Sequence, residues 1–568
     1  IISVSESSEI MKKNLFLTGI LTTAFLFGCS DDVPDKGGVN GVTGDVGYVK
    51  VAINLPTVSG NSVKANGNDE FGDGIEAEYK VNDIILAIFE GGNEADATFK
   101  EAQNLSGLLA MQSSGNVTVK YKSDVLEIGK PEERKNVYAL AIVNGKGLFS
   151  VDENKKLKFG ETNFTGKLSD LNTDAKTVDL AKMANVNDKN FLMTNAPITN
   201  KPAGSSATAG REVTTLVKLK VYDTKAKAEA DWENADKIYV ERAVAKVTTS
   251  VKSTGGNTLT ISAPGMAYDG ATVTFEGWKL NLTNKTYFPV RNVSEWSTWE
   301  GYNTVTAVNR FFGETANPYR VYWAIDPNYA NTVVQGTTDL NVITELPEGQ
   351  WNMMDKDEYS AENTTTAGQM NRARLTAVLL KAKFTLKGGA ENDNLFMFGT
   401  SSAIYSEEQF LKFATAALKD GNALTAGKTL KISNMPAGAV VNDKEGVKDL
   451  LKVNDDTALT DAQAEAILTD CSNMIRFYKG GVMFYYTTVI KHFNNLVDDG
   501  TAYDENKHLG LYGVVRNNWY DIRINSVSGP GEPEIPEIPD EPVNKEHSFI
   551  NAEINILSWA KRTQDVDL

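Results

Sequence analysis

Short runs in which every second residue is apolar, each closed off by Gly, Asn, Asp or Pro, recur from residue 48 almost to the end of the chain. Period-two alternation puts one face of an extended segment toward a core and the other toward water, so such a chain is driven into sheets. The runs are YVKVAINLP (48–56), KVNDIILAIFE (80–90), KNVYALAIVN (135–144), VTTLVKLKVYD (213–223), KIYVERAVAKVTTSVK (237–252), ATVTFEGWKLNL (271–282), YRVYWAI (319–325), TAVLLKAKFTL (376–386), GVMFYYTTVI (481–490) and NNWYDIRINSVS (517–528). They predict a mainly β protein of two sandwiches, with the long run at 237–252 as the hinge between them. Helices are a minority. Ser406 with Gln409 and Thr460 with Gln463 form two capping boxes, Gly421 stops the first helix, and both helices read as insertions in the C-terminal half.

Composition narrows the function classes. The 568-residue chain carries a net charge of −17, which argues against a nucleic-acid partner, because counterion release from phosphates needs clustered Lys and Arg. Three histidines, His492, His508 and His547, are too few and too scattered for a zinc site or a His-based catalytic set, and HExxH, CxxC and GxSxG are absent. GNALTAGKT (421–429) has its glycines one residue too far apart for a phosphate loop and runs into LKIS, which reads as a strand. NGNDEFGDG (66–74) lacks EF-hand spacing and reads as an acidic loop. Among 74 acidic residues no pair stands out as a glycosidase dyad, and Trp278, Trp323 and Trp519 lie in strand patterns, as core residues do. No catalytic residue, cofactor or metal is expected.

The N-terminus is an address. From Met11, Lys12 and Lys13 lead into an apolar stretch, Leu15 to Phe27, that closes on Gly28 and Cys29. It is too short for a membrane span and reads as a signal peptide, residues 1–28, with residues 1–10 an over-extended start. Gly28-Cys29 resembles a bacterial lipobox, in which Cys29 is acylated, and the acidic opening of the tether after it resembles a lipoprotein export signal. Cys471, the only other cysteine, then has no partner and is expected to be buried on a helix.

Two segments share one pattern. In the first strand Val49, Val51, Ile53 and Leu55 alternate with Lys50, Ala52 and Asn54; near the C-terminus Ile550, Ala552, Ile554 and Ile556 alternate with Asn551, Glu553 and Asn555. Either could fill the same vacancy in a sandwich, and burying three isoleucines and an alanine contributes on the order of 5–9 kcal/mol. The first strand is removable if the chain is cut behind it. Before the second strand the lysines after Cys29 are Lys36, Lys50, Lys64 and Lys80, and the first arginine is Arg134. Lys64 alone lies just past the first strand, in a Gly/Ser/Asn loop of the kind proteases nick, so a cut between Lys64 and Ala65 frees residues 29–64. The terminal strand follows a proline-rich spacer, Gly529 to Lys545, which at polyproline pitch reaches on the order of 50 Å. The expected organisation is a signal (1–28), an acylated propeptide with the removable strand (29–64), an N-terminal sandwich (65–237), a C-terminal sandwich (238–528), and a spacer with a donor strand (529–568).

VERAVAKVTTSVK (240–252), RARLTAVLLKAKFTL (372–386), VVRNNWYDIRINSV (514–527), the spacer and the ending ILSWAKRTQDVDL resemble type V pilins (fimbrillins), specifically the stalk subunit of the short (minor) fimbriae. The resemblance implies two transthyretin-like β-sandwich domains. It also implies a lipoprotein precursor at the outer membrane whose first strand a trypsin-like protease removes, and a C-terminal strand that fills the groove of the next copy in a cell-surface fimbrium. Carried over by position, Cys29 matches the acylated cysteine, Lys64 the cleavage position and Ile550 to Trp559 the donor strand. Short-fimbria members are typically cut after arginine, where this chain has lysine. The implied partners are further copies of the chain, anchor and tip subunits of the fimbrium, the protease, and host or bacterial surface ligands. A monomeric, acylated glycan-binding surface protein is the alternative, and a secreted hydrolase comes third.

Overall fold

The computed structural model describes residues 44–55, 75–106, 109–112, 119–172, 176–177, 179–202, 210–231, 234–302, 311–313, 319–330, 339–419, 421–435, 440–493, 501–543, 553–558 and 562–566. The fold is mainly β with few helices, as the alternating runs predict.

The N-terminal half begins with β1 (Val46–Val49) and β2 (Val51–Asn54), followed by the short helix α1 (Glu76–Tyr79). Then come β3 (Ile84–Gly91), β4 (Thr98–Asn104), β5 (Leu109–Gln112), β6 (Val119–Lys122), β7 (Leu126–Gly129), β8 (Asn136–Val143), β9 (Met193–Asn195) and β10 (Asp236–Arg242). They are ordered β4-β3-β8-β9-β10-β2-β6-β5. The last strand in sequence, β10, turns the corner: its first half pairs in parallel with β2 and its second half antiparallel with β9. A single core, which includes Val51, Ile53, Leu86, Ile88, Leu140, Ile142 and Ile238, lies against this curved surface.

The run 237–252 is two strands, not one. After Arg242 the chain bends at Ala243–Val244 and continues as β11 (Ala245–Val251), which belongs to a different sheet and a different core. With β12 (Thr258–Thr260), β13 (Thr272–Asn281), β14 (Asp357–Ser360) and β15 (Ala377–Thr385) it starts the C-terminal half.

Between β15 and the next strand of that sandwich the chain inserts a small α/β unit. It comprises β16 (Leu395–Phe398), β17 (Ile404–Ser406), α2 (Glu407–Ala417), β18 (Val440–Val441), α3 (Lys444–Leu450), α4 (Asp461–Asp470) and β19 (Ile475–Tyr478). It has its own core of Phe396, Phe410, Leu450, Ile467 and Phe477. Both expected capping boxes form: Gln409 and Thr460 with their partners close reciprocal bonds of 2.9–3.3 Å. The helix α2 stops at Ala417, ahead of Gly421, which takes φ +97 in the turn beyond. Cys471 ends α4, fully buried, and burial pushes its thiol up to about 12.

The sandwich closes with β20 (Val482–Val489) and β21 (Asn518–Ile524). One layer is ordered β14-β11-β21 and the other β12-β13-β15-β20. Val247, Tyr520 and Ile522 from the first layer meet Phe275, Leu380 and Tyr485 from the second.

Two expected strands largely fail to form. In 213–223 only Val213–Thr214 and Val217–Lys218 are extended pairs, because the amides of Thr215 and Leu216 donate to the Glu94 carboxylate, both at 2.8 Å, instead of to a ladder. In 319–325 Trp323 is fully buried, yet beyond Tyr319–Arg320 the run makes only isolated bridges.

Candidate functional site

The first strand is held more completely than its alternation requires. It changes partners at Lys50: β1 pairs antiparallel with β7, whereas β2 lies between β10 and β6. Val49, Val51 and Ile53 are 0 % exposed and Leu55 3 %, so the four residues expected to face the core do so. The opposite positions are covered as well, with Lys50 at 2 %, Ala52 at 4 % and Asn54 at 1 %. At the break the Lys50 ammonium donates to the Ala228 carbonyl at 2.6 Å, and burial lowers its pKa against the pull of Asp231. The amide of Val51 donates to Ser123 Oγ at 3.0 Å, and the amide of Ser123 to the Val51 carbonyl at 3.0 Å, tying the start of β2 to the residue after β6.

Lys64 and Ala65, like Cys29, lie outside the described residues. The chain re-enters at Ile75, where α1 is pinned by a carboxylate the sequence does not single out. Glu78 is 0 % exposed; Lys246 Nζ stands 2.9 Å from its Oε1, to which the Tyr359 hydroxyl donates at 2.8 Å, while Arg242 Nε donates to its carbonyl at 2.7 Å. Lys246 also pairs with Asp357 at 2.9 Å. These residues come from β10, β11 and β14, so the segment just after the expected cut is locked where the two cores meet. A second buried set, Arg291 with Glu241 at 2.6 Å and Arg516 with Glu362 at 2.7 Å, joins the halves nearby. Buried pairs of this kind are costly to break one-sidedly and fix geometry more than they add stability.

The spacer differs from its expected form. Instead of a free polyproline arm, residues 529–543 lie along their own C-terminal domain. Glu532 and Phe484 exchange both backbone hydrogen bonds, at 2.8 and 2.9 Å, and the Tyr478 and Tyr485 hydroxyls donate to the carbonyls of Gly531 and Gly529 at 3.1 and 3.3 Å. Gly531 is required there, since a Cβ would come within 2.6 Å of the Phe484 oxygen. Farther on, Ile538 packs with Leu282, Leu340 and Ala373, the amide of Arg372 donates to the Glu541 carbonyl at 3.0 Å, and Val543 is buried beside Leu375. Proline removes ladder donors but leaves carbonyls and ring faces to pack, so a Pro-Glu-Ile repeat can line an edge without joining the sheet.

The terminal segment forms β22 (Glu553–Ser558) and β23 (Arg562–Val566), both on the outer edge of β21 in the same chain. Asn518 and Trp519 oppose Ser558 and Leu557 antiparallel, and Tyr520 to Ile524 run parallel with Arg562 to Val566. Of the expected donor residues Ile554 and Ile556 fall in β22, while Ile550 and Ala552 lie outside the described residues. The structure therefore does not bring the two matching segments together: one fills the N-terminal sheet and the other extends the edge of the C-terminal one.

Two of the three histidines are buried. His492 is enclosed, its Nδ1 2.8 Å from the Tyr520 hydroxyl and its Nε2 2.8 Å from the Tyr322 carbonyl. His508 is also buried, its Nδ1 accepting from the amide of Asp504 at 3.2 Å. Trp278 and Trp323 are core residues. Among the described residues no group of three or more His, Cys, Asp or Glu side chains is placed to hold a metal ion.

No curated protein matches the sequence. Among solved structures, the chain is similar to a putative cell adhesion protein from Parabacteroides distasonis, at 12 % identity over 91 % of this chain and 98 % of that one, TM-score 0.35. The tip fimbrial protein Mfa3 from Porphyromonas gingivalis, C-terminally truncated, aligns at 10 % identity over 90 % of this chain and 100 % of that one, TM-score 0.33. A putative cell adhesion protein from Bacteroides eggerthii aligns at 10 % identity over 91 % and 97 %, TM-score 0.33. The family model for the major fimbrial subunit protein type IV, fimbrillin C-terminal, matches residues 476–565, from β19 through the docked spacer to β23. Over that stretch the chain is similar to the C-terminal region of fimbrillins.

Proposed function

We propose that the protein is a structural subunit of a cell-surface fimbrium. It is made as an acylated outer-membrane precursor and polymerises when a protease cut after Lys64 releases its first strand and the C-terminal strand of another copy takes the empty place. The observation that carries this reading is the first strand itself. It is buried on both faces between two ladders, yet it is joined to the rest of the domain only through residues 56–74. Cutting that connection leaves the strand held by non-covalent contacts alone, and its loss exposes two sheet edges and an apolar floor, which a second strand of matching alternation can cover. The buried anchor at Glu78 supports the same reading, because it holds the new N-terminal segment in place after the cut.

The uncut precursor treated with trypsin should be cleaved after Lys64 and then form concentration-dependent oligomers, read by mass spectrometry and native size analysis. A chain lacking residues 547–568 should be cut and remain monomeric. Polymers from that truncated chain would defeat the proposal, and an uncut monomer with specific glycan affinity would favour a monomeric surface binder.

A further inference from the structure

Strand replacement leaves direction and register to be fixed, and a strand with period-two alternation can slip by two residues without turning its apolar face. The slot carries a charge pattern that removes this freedom. In β2, Val51 and Ile53 face the core, whereas Ala52 lies outside it. Directly opposite Ala52 stand Lys237 in β10 and Lys122 in β6. Opposed residues on neighbouring strands project to the same face, so position 52 is bracketed by two lysines, one exposed and one half-buried. Aligned beat for beat, the terminal sequence places Ile554 at Ile53, Asn555 at Asn54 and Ile556 at Leu55, and substitutes one carboxylate, Glu553, for Ala52.

We propose that Glu553 of one copy seats between Lys122 and Lys237 of the next and sets the donor strand in the direction of β2, parallel to β10, in this register. Moved two residues toward the N-terminus, Glu553 would take the place of Lys50, where the Ala228 carbonyl accepts from the ammonium and would face a carboxylate instead, and where Asp231 and Asp236 act along with Lys122 and Lys220. Moved two residues the other way, or reversed about Ile53, it would lie at position 54 beside Tyr239 and Lys120, with one lysine instead of two. The inference rests on the donor-strand reading above, and it makes a second copy of this chain the partner of that lysine pair.

The test uses full-length chains in which a sequence-specific protease site replaces residues 62–67, so that introduced lysines are not cut. Thermal melting of each uncut variant checks its fold. After cleavage, E553K and the double variant K122E/K237E should each polymerise about tenfold more slowly, since two cross-strand attractions, one exposed and one half-buried, become repulsions. The triple variant E553K/K122E/K237E should return to within about twofold of the parent rate. In cleaved chains carrying E553C, an intersubunit disulfide should form with K122C and not with K120C; Cys471 is buried and Cys29 leaves with the released piece. Parent-like rates for E553K, failure of the triple variant to recover, or cross-linking to K120C would overturn the register while leaving strand exchange intact. Polymers from a cleaved chain lacking residues 547–568 would overturn strand exchange itself.

Discussion

Ile53→Ala and Ile554→Ala test the exchange at matching positions of the two segments. Ile53 is 0 % exposed, with the core residue Ile238 opposite it on β10 and Tyr121 on β6. Truncating a fully buried isoleucine to alanine costs about 2–5 kcal/mol, the larger values applying where neighbours cannot relax into the cavity. With ladders on both sides β2 has little room to shift, so about 3 kcal/mol is expected. For a half of this size that lowers the N-terminal melting transition by roughly 6–12 °C, the C-terminal transition staying in place. In the polymer Ile53 is gone with the released piece, so this deficit should vanish. Ile554→Ala should do the converse, leaving melting of the uncut N-terminal half unchanged and weakening the polymer by a similar amount per joint. Differential scanning calorimetry of the uncut chains, and guanidinium dissociation of the polymers they form, measure the two sides. The reasoning fails if Ile53→Ala still weakens the polymer, or if Ile554→Ala lowers the N-terminal transition of the uncut chain.

Glu78→Gln removes the shared charge facing Lys246 and leaves a buried cation with Asp357 alone; about 3 kcal/mol should be lost in chemical unfolding, and released N-terminal segments should become protease-accessible after the cut. Gly531→Val should lift the docked spacer off Phe484, seen as new cleavage by a Glu-specific protease after Glu534 with little change in either melting transition. His492 is held neutral by burial, which lowers its pKa to about 3, with Arg291 adding to the effect and the Tyr322 carbonyl opposing it. The unfolded chain binds that proton near pH 6.5 and the folded one does not. The contribution is therefore fully present above pH 6.5 and falls by about 1.4 kcal/mol per pH unit below it, down to about pH 3. Burial raises Asp236 to about 6 and Asp326 to about 7, which has the opposite slope over part of that range, so the comparison must be between the parent and His492→Gln. The stability of the parent relative to His492→Gln should fall as pH drops from 6.5, by about 1.4 kcal/mol per unit at most; a constant difference would contradict the buried neutral imidazole.

What the sequence made legible follows from burial. Strands enclosed on both sides, such as Ile84–Gly91, Asn136–Val143 and Ala377–Thr385, are written as near-continuous apolar runs and were found where expected. Thr98–Asn104 is an edge strand with one buried residue, Ala102, and its TFKEAQN carries no alternation to read. The capping boxes were legible because each depends on residues three apart. Glu78 was not, since nothing local distinguishes it from other carboxylates; its role is created by Arg242, Lys246 and Tyr359, which are distant in sequence. The spacer was misread for a related reason: proline content reports stiffness, but docking depends on the tyrosines and the Leu282–Ala373 pocket that receive it.

The two resting places that the proposed exchange gives a terminal strand are not equivalent, and the difference would give that exchange its direction. On its own chain the segment has β21 on one side only, which β22 meets at two positions and β23 at five. In the slot left by β2 a strand has β10 on one side over 51–54 and β6 on the other over 52–54. Moving from an edge to the interior of a sheet gains a second ladder at roughly 0.5–1.5 kcal/mol per hydrogen bond, and it covers apolar floor that the cut subunit would otherwise expose. It also covers both edges that the cut opens on the acceptor, at the cost of uncovering the part of the β21 edge that the strand leaves. The docked spacer bears on how that move is made. Because residues 529–543 stay on their own domain, the travelling part is residues 544–568, not 529–568. A donor tethered at Val543 stays close to that point, which raises its effective concentration at a neighbour positioned to receive it and lowers it everywhere else. On this account the spacer sets where the next subunit must stand, and strand replacement then holds it there.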